Sequence, residues 1–200
     1  MKKIFILLLF NFSVFAQSQN ENSNKVFNFA TEFSVYGIQT NNFGNNFLAK
    51  ANKPYLIGIG TQLVLFKVYN FGLGYGGEFV KHQVTNNSLG GNIKNTNATF
   101  LNLKLIYYQD LKSKFRIEPL IGIGQATLNQ RTGKEKFGKQ TGTSFYLGSN
   151  LSYKINNNIA FFVGIDYRYT KYKVNTNTDF ISFFDNSNQV QLKLGATLFK

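Results

Sequence analysis

Few side chains here are equipped for covalent or metal chemistry. The 200-residue chain has no cysteine and a single histidine, His82, so the usual Cys and His ligand sets for a transition metal cannot be assembled. No cofactor is implied. One nucleophile–base pair can be drawn, Ser88 with His82. A working dyad also needs an oxyanion hole and a carboxylate to orient the imidazole, and nothing in the sequence places either. The reading is therefore no catalytic, cofactor or metal residue and no enzyme, with a Ser88–His82 enzyme kept as an alternative.

A larger set of reactive groups carries charge inside apolar runs. Glu32, Glu78, Glu118 and Asp166, with Lys104, Arg116, Lys154, Arg168 and Lys193, each sit between neighbours such as Leu, Ile, Phe and Tyr. Ion pairing is their natural chemistry. A buried charge must be paired, because an unpaired one costs several kcal/mol. The alternative is a set of solvated surface charges, whose pairs are weak.

The elements that hold these charges are strands. Period-two alternation recurs along the whole chain and helical spacing never persists. Eight runs are read at 26–37, 54–66, 71–84, 97–109, 115–128, 143–155, 159–171 and 188–199, most of them about 12 to 14 residues, far beyond the soluble mean of about 5 to 6. Connections alternate between tight turns (67–70, 110–114, 156–158) and long stretches rich in Asn, Thr, Gly and Lys (38–53, 86–96, 129–141, 173–187). Opposite the apolar face lie the charges and many glycines, among them Gly58, Gly60, Gly72, Gly74, Gly122, Gly124, Gly148 and Gly164. An eight-stranded barrel has an interior only just wide enough for side chains, so glycine belongs there. A secreted ligand barrel with the apolar face inward is the alternative, and it gives no reason to show water so much bare backbone.

Hairpin arithmetic proposes partners. The 86–96 connection is centred near residue 91, equidistant from Glu78 and Lys104, which puts the two opposite each other. Glu118 and Lys154 come close to the same relation across 129–141, and closure of the sheet brings Lys193 near Glu32. Aromatic residues gather towards both ends of the apolar face, with Phe27, Phe71, Tyr107, Phe115 and Tyr153 at the short-turn end. Tyr55, Phe79, Phe145, Tyr167 and Tyr169 gather at the other, as expected where a barrel meets lipid headgroups.

The N-terminus, MKKIFILLLFNFSVFAQ, has a basic start, an apolar core and a small-x-small site at Val14–Ala16, the pattern of a cleaved signal peptide over 1–16. Residues 17–25 follow as a short periplasmic segment and 26–200 as one domain. Beyond the leader, no stretch approaches the roughly 18 apolar residues of a spanning helix, so any membrane crossing is by strands. Without Lys2 and Lys3, 20 basic residues stand against 9 acidic ones, a balance of +11. Such a charge favours anionic neighbours, and export makes nucleic acid an improbable one.

The chain resembles the small eight-stranded outer-membrane β-barrel proteins of Gram-negative bacteria, of the OmpX and OmpA-barrel kind, over Val26 to Lys200. The residues behind the resemblance are the alternating runs, the Glu118-Pro119…Gly122-x-Gly124 pattern and the aromatic near the C-terminus. It implies an all-β, eight-stranded antiparallel up-and-down transmembrane β-barrel in the cell outer membrane. Its expected partners are outer-membrane lipids and lipopolysaccharide, with insertion by the barrel-assembly machinery, which reads a final aromatic. Here Phe199 lies on the polar register, Lys200 follows it, and the apolar alternation runs through Leu198 instead.

Function is then expected in the long loops. In 129–141, Arg131, Lys134, Lys136 and Lys139 outweigh Glu135 and suit lipopolysaccharide phosphates. In 173–187, Phe180, Ile181, Phe183 and Phe184 either dock an unknown extracellular ligand or pack over the barrel mouth, with packing favoured. The whole reads as a non-enzymatic barrel with a plugged, salt-bridged lumen serving envelope structure or surface binding. A rim enzyme modifying lipid A and a narrow solute channel are the alternatives.

Overall fold

A computed structural model describes residues 27–28, 31–112 and 114–199. The proposed leader 1–16 and the segment 17–25 lie outside the described residues. Eight long strands follow one another: β1 Glu32–Phe43, β2 Gly58–Val68, β3 Phe71–Val84, β4 Asn95–Tyr107, β5 Phe115–Thr132, β6 Glu135–Lys154, β7 Ile159–Lys173 and β8 Asn186–Phe199. Each pairs antiparallel with its chain neighbour, and β8 closes on β1 from Phe199↔Glu32 to Asn188↔Phe43. The result is a closed eight-stranded antiparallel barrel. Closure leaves the main barrel strands no free edge. Short strands add to it at Phe27–Asn28 on β2, Asn52–Pro54 on β3 and Gln109–Lys112 on β5.

Alternation along each strand sorts side chains in or out. Phe145, Leu147 and Leu151 of β6 face outward and exposed, as do Phe161, Val163 and Ile165 of β7 and Leu192, Leu194 and Leu198 of β8. The buried set includes all four acids and four of the five cations that the sequence put on the polar face, Lys104, Arg116, Arg168 and Lys193, but not Lys154. An exposed apolar belt around a charged interior inverts the soluble arrangement.

Two expectations are corrected. The first strand runs six residues further than 26–37, to Phe43. Its outward positions there, Gln39 and Asn41, are polar, so the apolar signal stops while pairing with β8 continues through Asn41↔Val190. The stretch 129–141 is not a loop: β5 and β6 extend past the belt as one hairpin, turning at Gly133-Lys134, where Gly133 takes φ +61°. Polar Asn, Gln, Thr and Lys hide a strand that projects into water. Pro119 leaves the β5 ladder with β6 unbroken through Pro119↔Ser149. On its other side, pairing runs to Ile106↔Leu120 and resumes at Gln109↔Ile117. The interruption at Tyr107 and Tyr108 lies where Pro119 has no amide to offer.

The remaining outer connections contain short helices, α1 Phe47–Ala51, α2 Asn87–Gly90 and α3 Thr178–Phe184, each N-capped by an asparagine side chain (Asn46, Asn86, Asn177). Asparagine is a strong cap, which accounts for part of the Asn content of these stretches.

Candidate functional site

The lumen is filled in layers. At mid-depth Glu78 of β3 is the hub. Its carboxylate accepts Arg168 Nη2 at 2.5 Å, Lys193 Nζ at 3.0 Å and the Tyr36 hydroxyl at 2.9 Å, with Lys104 Nζ at 3.5 Å. Lys193 also donates to Asp166, and Lys104 to the Tyr36 oxygen at 3.2 Å. The Arg168 guanidinium lies over the Phe100 ring at 4.0 Å, a favourable cation–π placement when desolvated. Five strands contribute: β1, β3, β4, β7 and β8.

A second cluster sits nearer the short turns. Arg116 bridges two glutamates, with Nη2 to Glu118 at 2.6 Å and Nη1 to Glu32 at 3.2 Å. Lys67 pairs with Glu32, which also accepts the Tyr108 hydroxyl at 2.9 Å. Asn150 and Ser152 complete Glu118 at 3.2 and 2.7 Å. The Arg116 guanidinium also lies near the rings of Tyr108 at 4.5 Å and Phe199 at 5.2 Å.

Apolar side chains occupy the rest of the interior. Val64, Ile106, Tyr108, Leu120 and Tyr146 form one layer, and Tyr36, Ile38, Val80, Phe100, Leu128 and Phe162 belong to another above it. Leu48 of α1 enters that upper layer from outside, so the connection between β1 and β2 folds inward as a cap. Glycines seat the interior rings. A Cβ at Gly60 or Gly122 would strike the ring of Tyr36 or Tyr146, so these positions must stay bare.

Eight of the nine charges proposed for the lumen are brought together in these two clusters, and the partners differ from hairpin arithmetic. Glu78 stands opposite Phe100 and Lys104 opposite Gly74, yet both side chains reach the lumen centre. Lys193 stands opposite Ile38 and joins Glu78 and Asp166 rather than Glu32. Lys154 is the exception. The true turn at 133–134 sets Glu118 opposite Asn150, and Lys154 lies at the barrel end, 3.0 Å from Asp110. Lys67, Tyr36 and Tyr108 were missed. Lys67 looks like turn sequence, and tyrosines on the polar register carry no signal of their own.

At the outer end, Arg131 stands opposite Lys136 and Asn129 opposite Lys139. These three cations lie on the extended hairpin and Lys134 in its turn. The aromatic run of α3 divides: Phe183 and Phe184 pack on Phe47 at 6.4 and 5.2 Å, while Phe180 stays exposed. His82 is fully buried, and Ser88 is exposed with its hydroxyl donating to Asn86 at 2.6 Å. They form no dyad.

Solved structures share this architecture. Neisserial surface protein A superposes with a TM-score of 0.56 at 12% identity, over 88% of this chain and 99% of that one. The fold is that of a small outer-membrane barrel. The N-terminal β-barrel domain of Pseudomonas aeruginosa OprF follows at 0.53 and 11%, over 87% and 99%. Ail of Yersinia pestis, solved with the heparin analogue sucrose octasulfate, gives 0.51 and 13%, over 86% and 98%. No family model matches the chain, and no curated protein sequence matches it either.

Proposed function

We propose that this chain is an integral protein of the bacterial outer membrane whose lumen is closed and whose work is done at its outer end, in envelope structure or surface binding, without catalysis. The observation behind this is the pairing of an exposed apolar belt with a charged, filled interior, since water would favour the reverse. Export by a cleaved leader and insertion by the barrel-assembly machinery belong to the same reading. The inward Phe199 and outward Leu198 make the terminal signal a weak one. Arg131, Lys134, Lys136 and Lys139 on the projecting hairpin are the surface offered to lipopolysaccharide phosphates. Phe180 is left as the exposed apolar contact for an extracellular ligand. The two alternatives have less behind them: among the described residues, apolar layers and ion pairs fill the interior against a solute path, and His82 is buried while Ser88 is exposed.

Cell fractionation with heat-modifiable gel migration tests this reading. The protein is expected in the outer-membrane fraction, with a mobility that shifts on boiling. Recovery in the soluble periplasm with no shift would overturn it. Replacing the four hairpin cations with glutamine is expected to weaken binding to lipopolysaccharide while the shift on boiling remains.

A further inference from the structure

The ion pairs of the lumen do not balance. Among the described residues, the two clusters contain four carboxylates (Glu32, Glu78, Glu118, Asp166) and five cations (Lys67, Lys104, Arg116, Arg168, Lys193). The excess lies in the upper cluster, where three cations share Glu78 and Asp166 and every side chain is at most 3% exposed. Lys104 is the one without a carboxylate of its own. Its nearest, Glu78 at 3.5 Å, is held more closely by Arg168 and Lys193. An uncompensated charge so far from water is expensive, and guanidinium cannot shed its proton.

A cavity lies beside this surplus. About 10 Å³ in volume, it is bounded by Lys104 and Lys193, with Gln62, Asn150, Ser34 and Thr197 around them; that is the lower limit for a water-sized particle, so a halide must push the flexible lysine ends slightly apart. Its lining is rich in donors. Each ammonium has three hydrogens and does not use all of them, and Ser34 and Thr197 share a single hydrogen bond at 2.9 Å, leaving one hydroxyl hydrogen free. The one carboxylate on the wall, Glu118, is already occupied by Arg116, Asn150 and Ser152.

We infer that this cavity binds a single monatomic anion, chloride under ordinary salt, held between the Lys104 and Lys193 ammonium groups. The ion brings the lumen to neutrality and ties the two clusters together. The site is independent of whatever the outer end binds.

Two experiments on the purified full-length barrel test it. Crystals grown in sodium bromide should show an anomalous peak in contact with Lys104 Nζ and Lys193 Nζ. In detergent, sodium chloride or bromide should raise the melting temperature in a saturable way over sodium gluconate at equal ionic strength. In Lys104→Gln, which restores four charges to four, both the peak and the halide effect should vanish. Because the wild-type peak alone decides, a misfolded variant leaves the test intact. No interior peak with a halide-insensitive melt would mean that Lys104 gives up a proton instead, and would overturn the inference. So would an adventitious ion only, seen on surface lysines, or a peak that survives in Lys104→Gln.

Discussion

The two ion clusters use the same residue types and solve different problems. The upper one gathers three cations on one glutamate and one aspartate, all sealed between apolar layers. In the lower one two cations face two glutamates, helped by Tyr108, Asn150 and Ser152. It borders a pocket of about 280 Å³ at the short-turn end, lined by Lys67, Arg116, Lys154 and Phe199. In the proposed closed lumen, the upper cluster is therefore the seal and the lower one a charge-balanced base beside that pocket. In a lumen shut this way, the costliest single change should be at the shared carboxylate, not at the most connected cation.

Glu78→Gln is the most severe test of that difference. It leaves Arg168, Lys193 and Lys104 with Asp166 alone, and losing one partner of a buried pair costs about 3–5 kcal/mol. Urea unfolding from lipid vesicles, followed by the gel shift, should register that loss. Arg116→Met removes the bridge of the lower cluster but leaves Glu32 with Lys67 and Glu118 with two neutral donors. A loss of about 2 kcal/mol is expected in the same assay, the usual scale for hydrogen bonds to a charged group. Equal costs for the two variants would erase the distinction between seal and base.

The smallest effect is expected outside both clusters, where Lys171 pairs with Asp185 at the end of α3. Partial burial pushes the Asp185 carboxyl up, but hydrogen bonds from Lys171 and Asn186 outweigh this and hold it below its ordinary range. A depressed carboxyl adds stability above its unfolded value of about 3.9 and loses it as pH falls through the folded value. Protease resistance of α3 should thus be flat from neutral pH down to about 5 and decline only below about 4. Asp185→Asn should abolish that decline without altering the barrel's gel shift. A decline already evident at neutral pH would place the titrating group elsewhere.

Alternation made the barrel legible, because a strand with one face in lipid and the other in a packed lumen writes its two environments on odd and even residues. Glu78, Lys104, Arg116, Glu118, Asp166, Arg168 and Lys193 could be assigned to the inside from parity alone. Their partners could not. Partnership depends on where a hairpin turns, and the turn at Gly133-Lys134 hides in a run that reads as loop, with a further register shift at Gln130 and Arg131. The displaced centre assigned Glu118 to Lys154 instead of Asn150. Side chains of Glu78 and Lys104 also meet across open lumen rather than across one seam, which strand arithmetic does not describe. The cap was illegible for another reason: Phe47 and Leu48 stand in an Asn-rich stretch with no periodicity, and only tertiary packing turns Leu48 inward.

The orientation of the wall is the claim on which the rest depends, and the absence of cysteine allows it to be measured with single labels on β6. Cysteines at Leu147 and Leu151, outward, and at Ser144 and Ser152, inward and buried, would be introduced one at a time into protein reconstituted in lipid bilayers. A membrane-dissolved thiol reagent should modify the two outward positions, a water-soluble one should modify neither, and both inward positions should resist each reagent. Labelling of Leu147→Cys and Leu151→Cys from water, with none from the bilayer, would contradict the account.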